Sequence, residues 1–294
     1  MAPVASQRHQ HRVFRTSWDG CPAVCKAFVG PDRELGVHEG RMLDRLRNAH
    51  LPVPRLLWLG DGVCEACGSS VLVLITEQLP GEAADLVLER DRLGNRIWEQ
   101  CSEILKRQFA IESSQATKGY LRERYTRFRA AHAPLLMNDR NVPRWAFEVM
   151  ASAASQLPDP QYLALITFDW RLRHLFVQDG VITGMIDVEY AKLGDPLLEV
   201  ANFIHDVRIH DLRSSADAAD VLVQTIGSRG TDADGPSLLF YQARQAFAHA
   251  AIRQRANDLE ADAIQAEIDL GMRYVSDLSE YVVRETGKSN RAVL

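Results

Sequence analysis

ITFDWRLRHLFVQDGVITGMID, residues 166–187, decides how this chain is read. His174 to Val177 and Val181 to Ile186 are apolar, partly β-branched runs, and Gln178-Asp179-Gly180 between them is a turn signal, so a β-hairpin is predicted. A hairpin brings its two ends together. Asp169, just before the first strand, and Asp187, just after the second, are therefore expected side by side, with Arg171, Arg173 and His174 on the loop between them. Two carboxylates, two guanidiniums and an imidazole in one small volume suit phosphoryl transfer. One carboxylate can accept a hydroxyl proton, the other can hold Mg²⁺, and the cations can offset charge on the transferring group.

Upstream of this hairpin, the first eighty residues read mostly as β. Arg12 to Trp18, a turn at Asp19-Gly20, and Pro22 to Phe28 make a first hairpin. Glu34 to Ala49 has helical spacing, with Leu35, Met42, Leu43 and Leu46 apolar, and Pro52-Val53-Pro54 ends it. Arg55 to Leu59 and Val71 to Glu77 are two further strands, separated by a turn region from Asp61-Gly62 to Gly68-Ser70. Leu79-Pro80-Gly81 breaks the pattern and marks the expected boundary between a lobe of residues 1–80 and one of residues 81–294. Glu82 to Ala153 and Leu197 to Thr286 are helical in character, and there is no repeat or low-complexity segment.

Composition sets limits. With 294 residues, 46% of them hydrophobic, the chain can bury a substantial core. Its net charge of −5, with both signs interspersed, makes no basic face, so nucleic acid is not the expected partner. No window has the roughly 18 uninterrupted apolar residues of a membrane span, and MAPVASQRHQH lacks the apolar core of a secretory signal. A cytoplasmic protein is expected. Cys21, Cys25, Cys64, Cys67 and Cys101 are an odd number, which argues against a disulfide framework. The two short-spaced pairs admit a zinc reading, but ordinary reduced thiols beside two turns explain them more simply.

A small sheet with one helix, a hinge, and a larger helical lobe holding an acidic hairpin is the element order of a protein-kinase-like α+β fold. The residues themselves resemble the aminoglycoside phosphotransferase and choline kinase-like families, whose signature reads HGD, four residues, N, a hairpin ending in IDW or IDxE, then GDP. The corresponding pieces are Thr167-Phe168-Asp169, His174, Ile186-Asp187-Val188-Glu189 and Gly194-Asp195-Pro196. Ala23-Val24-Cys25-Lys26 looks like the strand bearing the nucleotide lysine, and His38 to Leu43 like the helix bearing its glutamate partner. Leu51 to Arg55 and Ile75 to Gly81 are similar to the helix exit and hinge. The resemblance covers the first eighty residues and the segment from 163 to 206.

That resemblance implies a bilobal fold and a role for each residue. Lys26 contacts the α- and β-phosphates of ATP, held by Glu39, with Glu34 as the alternative partner. Glu77 to Leu79 offer backbone groups to adenine. Asp169 orients or deprotonates the acceptor hydroxyl, Asp187 binds Mg²⁺, and Arg171 or Arg173 neutralises the γ-phosphate. Asp195 and Glu199 are structural. His174 stands where the family has an asparagine ligand, and neutral imidazole is a poorer Mg²⁺ ligand than an amide oxygen. Thr167 and Phe168 replace the histidine and glycine before the catalytic aspartate. Ala5 to His11, where a phosphate-cradling loop is expected, contains no glycine.

The implied activity is an ATP-dependent kinase of a small-molecule hydroxyl, with an antibiotic or other natural product as the leading acceptor and a bacterial envelope sugar or lipid as runner-up. A catalytically silent kinase-like binding protein is the alternative from another class. Asp258, Glu260, Asp262, Glu267, Asp269, Asp277 and Glu280 make the C-terminal helices acidic, which suits either a solvated face or a cationic acceptor. Tyr120, Tyr125 and Phe128, at helical spacing, fit core better than pocket.

Overall fold

Two antiparallel hairpins turn on Asp-Gly pairs whose φ angles are both positive, at Asp19-Gly20 (49° and 79°) and Asp179-Gly180 (50° and 71°). That is the conformation a two-residue hairpin of right-handed twist demands, and Asp-Gly supplies it readily. The computed structural model describes residues 12–63, 68–90, 95–140, 142–210, 216, 218–219, 221–223, 235–255 and 261–286. The chain folds as two units: residues 1–113, 164–194 and 206–222 in the first, and 114–163, 195–205 and 223–294 in the second.

In the first unit, β1 (Arg12–Trp18), β2 (Cys21–Phe28), β3 (Leu56–Val63) and β4 (Ser70–Glu77) form an antiparallel sheet in the order β1-β2-β4-β3. Helix α1 (Arg33–Asn48) lies on it, burying Gly36, Glu39, Gly40, Leu43 and Leu46. A Cβ at Gly36 would come within 2.6 Å of the Phe28 ring, so the helix approaches β2 closely only because that position is glycine. Strand β3 runs past the expected turn at Asp61-Gly62, because both pair with β4, as Asp61 with Leu72 and Gly62 with Val71. Cys64 and Cys67 lie outside the described residues, as does the glycine-free stretch before Arg12. Cys21, Cys25 and Cys101 are free thiols, and Cys25 packs with Ala23 and Ile75. No metal-capable group among the described residues includes a cysteine.

The same unit continues through β5 (Glu82–Ala83), α2 (Ala84–Arg90) and α3 (Asn95–Ile111). A short strand, β6 (Ser113–Gln115), follows, and β7 (Tyr162–Ile166) leads into the 166–187 segment. Strand β7 follows the turn signal of Pro158 to Pro160 but has no clear alternation to announce it as a strand. Strands β8 (Leu175–Gln178) and β9 (Val181–Met185) make the predicted hairpin, with β5 along the outer edge of β8 and a register shift between Phe176 and Val177. Gly81, at φ 92°, carries the chain past β8 where a Cβ would lie 2.3 Å from the Val177 carbonyl oxygen. Strand β10 (Lys192–Gly194) then pairs antiparallel with β7.

The second unit is helical. It contains α4 (Tyr120–Asp139), α5 (Arg144–Gln156), the first ten residues of α6 (Pro196–His210), α7 (Gly235–Arg255) and α8 (Ala261–Thr286). Tyr125 and Phe128 are buried core residues, with the Tyr125 hydroxyl donating to the Phe147 carbonyl at 2.6 Å, and Phe147 packs on Phe247. Asp159 accepts from the backbone N–H groups of Gly119 (2.6 Å) and Leu121 (3.0 Å), acting as the cap that α4 does not carry itself. Asp195 caps α6 through the Leu197 N–H at 2.9 Å, and Pro196 fills the first helical position. No described helix is long and apolar enough to cross a membrane.

Candidate active site

The site is assembled within the first unit from α1, β2 and the two ends of the β8–β9 hairpin. Lys26 is buried on β2, and its Nζ lies 2.7 Å from Glu39 Oε1, bonds Asp187 Oδ1, and stands 3.9 Å from Glu189 Oε2. Glu39, not Glu34, is therefore the lysine's partner: Glu34 is exposed on the first turn of α1. Burial by itself opposes the charge on Lys26. The carboxylates of Glu39, Asp187 and Glu189 more than offset it and hold the ammonium above the ordinary lysine range. Burial likewise pushes the Glu39 carboxyl up, while Lys26 draws it back down.

His174 joins the hairpin's two ends. Its backbone carbonyl accepts from Ile186 N–H at 2.9 Å, closing the strands just before Asp187. A carbonyl oxygen can only accept, so the 2.8 Å contact between His174 Nδ1 and the Asp169 carbonyl puts the proton on Nδ1. Nε2 then carries a lone pair, which accepts from Arg173 Nε at 3.1 Å and lies 3.3 Å from Asp187 Oδ2. Nδ1 is also 3.6 Å from Asp169 Oδ2. The expected convergence of Asp169, His174 and Asp187 is thus present around one buried imidazole. Both arginines are engaged locally: Arg171 Nε pairs with Asp169 Oδ1, and Arg173, largely exposed, serves His174.

Two residues of the site hold left-handed backbone that side chains other than glycine rarely adopt, Phe168 at φ 67° and Asp187 at φ 59°. Such strain persists where the surroundings impose it and is concentrated at functional sites. At position 168 it explains the glycine of the related signature. Here a phenylalanine accepts the conformation, with the Lys192 Nζ 4.4 Å from its ring centroid and Gly194 leaving room for the ring edge.

The residues of the expected hinge lie at and beyond the end of β4, which pairs with β2. Glu77 N–H donates to the Arg55 carbonyl at 3.0 Å and Gln78 N–H to the Pro22 carbonyl at 3.2 Å. The Glu77 side chain accepts from Arg55 N–H at 2.8 Å, so it ties β3 to β4. Leu79 is buried over Gly184, where a Cβ would come 2.5 Å from its Cδ1.

Two site residues escaped the sequence reading. Glu189 appeared only as part of the IDVE motif, yet it is buried beside Lys26, and burial pushes its carboxyl up to about 7. Asp206 carries no motif at all. Its Oδ2 accepts from the Leu172 N–H at 2.8 Å and so fixes the loop between Asp169 and His174. Glu267, expected on an acidic face, is in fact buried, whereas Asp262, Asp269, Asp277 and Glu280 are exposed on α8; Asp258 and Glu260 lie outside the described residues.

Carboxylate oxygens of Glu39, Asp187 and Glu189 lie within 4.8 Å of one another, and the buried Glu39 Oε2 and Glu189 Oε2 have no hydrogen-bond partner among the described residues. An all-oxygen donor set with unsatisfied lone pairs fits a hard divalent cation such as Mg²⁺. The adjacent Nε2 lone pair of His174 suits a softer one.

A model of the phosphotransferase enzyme family, APH, matches residues 1–225. No curated protein matches the sequence. Among solved structures, the chain is similar to a thermostable mutant of aminoglycoside phosphotransferase APH(4)-Ia in its apo form, with 18% identity, a TM-score of 0.71 and 94% of each chain covered. A variant of that protein in ternary complex with AMP-PNP and hygromycin B matches at 18% identity and a TM-score of 0.69, covering 94% of this chain and 92% of the other. Amicoumacin kinase hAmiN, in complex with AMP-PNP, Ca²⁺ and Ami, matches at 10% identity and 0.66, covering 95% and 88%. Likeness at such identities concerns the fold, which is of the kinase-like type expected.

Proposed function

The chain belongs to the phosphotransferase enzyme family and is a small-molecule kinase; from there we propose that it moves the γ-phosphate of ATP to a hydroxyl of an antibiotic or similar natural product. The observation that carries this reading is the Lys26 ammonium, buried and held between Glu39 and Asp187. Such a lysine is a fixed positive charge for the α- and β-phosphates. Residues 1–80 serve as the nucleotide lobe and residues 81–294 as the catalytic and acceptor lobe, with backbone groups of Glu77 and Leu79 facing adenine.

Asp169 orients the acceptor hydroxyl and takes its proton as the oxygen attacks phosphorus. Arg171, now paired with Asp169, and Arg173, now on His174, turn toward the γ-phosphate when nucleotide enters and stabilise the charge that spreads over its oxygens. Asp187, with His174 beside it, would hold Mg²⁺, which would supply charge neutralisation to the phosphates. Glu39 keeps Lys26 in place throughout.

Two observations support an antibiotic acceptor. Similar structures include proteins whose complexes contain hygromycin B or amicoumacin, and the exposed acidic residues Asp262, Asp269, Asp277 and Glu280 suit a cationic molecule. ATP consumption against a panel of aminoglycosides, peptide antibiotics and envelope sugars, with Asp169→Ala as control, tests the reading. Stimulation by an antibiotic that the control lacks is the expected result; turnover no greater than the control for every compound removes it.

A further inference from the structure

A second cluster of metal-capable side chains lies in the helical unit and takes no part in phosphoryl transfer. His205 on α6 and Glu267 on α8 are buried, and His249 on α7 is 8% exposed. His205 Nε2 is 3.0 Å from Glu267 Oε2, and His249 Nδ1 is 3.4 Å from Glu267 Oε1. All three donor atoms lie within 4.8 Å of one another, and the imidazole centroids are 5.3 Å apart. With metal–ligand bonds of about 2.0–2.1 Å, ligands of a tetrahedral ion stand roughly 3.3–3.4 Å apart. The observed separations need only small adjustment to meet that.

Charge points the same way. Among the described residues, the ionic partners of Glu267 are the two imidazoles. With both imidazoles neutral, the carboxylate is a buried charge without a counter-ion, a costly arrangement. The Gln245 amide nitrogen is 2.7 Å from His249 Nε2. Turned over, that amide presents its oxygen to an Nε2–H, leaving Nδ1 free to bind a metal; outer partners of this kind fix a metal-binding histidine.

We propose that His205, His249 and Glu267 bind a single zinc-class divalent ion that fastens α6, α7 and α8 together within the second unit. Two imidazole nitrogens and one carboxylate oxygen are borderline donors that suit Zn²⁺ or Co²⁺ over Mg²⁺, and each comes from a different helix. A fourth position is left for water.

The test uses untagged full-length protein produced in medium supplemented with Zn²⁺ or Co²⁺ and purified in excess Mg²⁺. Metal analysis is expected to find about one equivalent of Zn²⁺, and the Co²⁺ form is expected to show the intense visible bands of a tetrahedral site. Asp187→Ala, which alters the phosphotransfer site, should keep the metal and the bands. Glu267→Gln should lose both while its circular dichroism stays helical. If Glu267→Gln does not fold, His249→Gln, at the least buried corner of the cluster, decides the same point. Folded wild type without bound metal overturns the proposal. So does metal lost in Asp187→Ala but kept in Glu267→Gln.

Discussion

The Nε2 atom of His174 lies 3.3 Å from Oδ2 of Asp187, and because the ring proton sits on Nδ1, bonded to the Asp169 carbonyl at 2.8 Å, its lone pair faces a metal once Arg173, which now donates to it at 3.1 Å, turns away. An imidazole nitrogen beside a carboxylate favours Mn²⁺ over Mg²⁺ more than the amide oxygen of the related signature does. Turnover of the wild type is therefore expected to be faster with Mn²⁺ at equal concentration. His174→Asn should shift the ratio of Mn²⁺- to Mg²⁺-supported rates toward Mg²⁺ by about tenfold, the lower end of what metal-site neighbours contribute. Initial rates titrated with each ion measure it, and an unchanged ratio sinks the assignment.

Lys26 and Glu39 are both buried, at 7% and 2% exposure, and Glu39 without the lysine is an uncompensated charge in the interior. Lys26→Met is expected to destabilise the fold by about 3–5 kcal/mol and to abolish turnover. The double variant Lys26→Met/Glu39→Gln should recover most of the stability and none of the activity, because the nucleotide still lacks its cation. Urea unfolding of the three proteins reads the first effect; a single variant as stable as wild type refutes it.

What the sequence made legible was what local chemistry encodes. Asp-Gly turns require positive φ, so both hairpins could be located, and closing the second one brought Asp169 and Asp187 around His174. The helical stripe of α1 put Glu39 on the buried face opposite Lys26. Long-range pairing was not legible. Asp206 holds Leu172 from 34 positions away, and no spacing rule links a helical aspartate to a loop N–H. Glu267 fell on an acidic stretch of α8, and only the arrival of His205 and His249 from other helices explains its burial. The Asp61-Gly62 turn signal failed for the same reason: pairing with β4 overrode local preference.

Asp195 should make stability depend on pH. Burial pushes its carboxyl up to about 6, although the Tyr241 hydroxyl at 2.5 Å and the Leu197 N–H at 2.9 Å both favour the charged form. The ordinary value of 3.8 applies to the unfolded chain, so between the two the folded state holds the extra proton. Stability from this group is then greatest below about pH 4 and declines as pH rises to about 6, by on the order of 3 kcal/mol. Asp195→Asn cannot ionise, and its amide can still bond both the Leu197 N–H and the Tyr241 hydroxyl. Its melting temperature relative to wild type is expected to rise across that window and level off above it. A difference that does not vary with pH rules out a buried, protonated Asp195 as the cause.

Asp206 is predicted to govern the loop that carries Asp169. Its Oδ2 satisfies the buried Leu172 N–H, and Leu172 itself is fully buried, so removing the acceptor leaves an orphan donor with no water to replace it. Asp206→Ala should lose about 1–3 kcal/mol of stability by that argument. It should also lower kcat more than it raises the KM for ATP, since the bond Asp206 makes is to the loop that carries Asp169. Asp206→Asn retains an acceptor oxygen of the same reach and should restore both quantities. Steady-state kinetics and denaturation of the pair separate the roles: if the asparagine variant is as impaired as the alanine variant, the charge of Asp206 matters and the hydrogen bond to Leu172 is not its function.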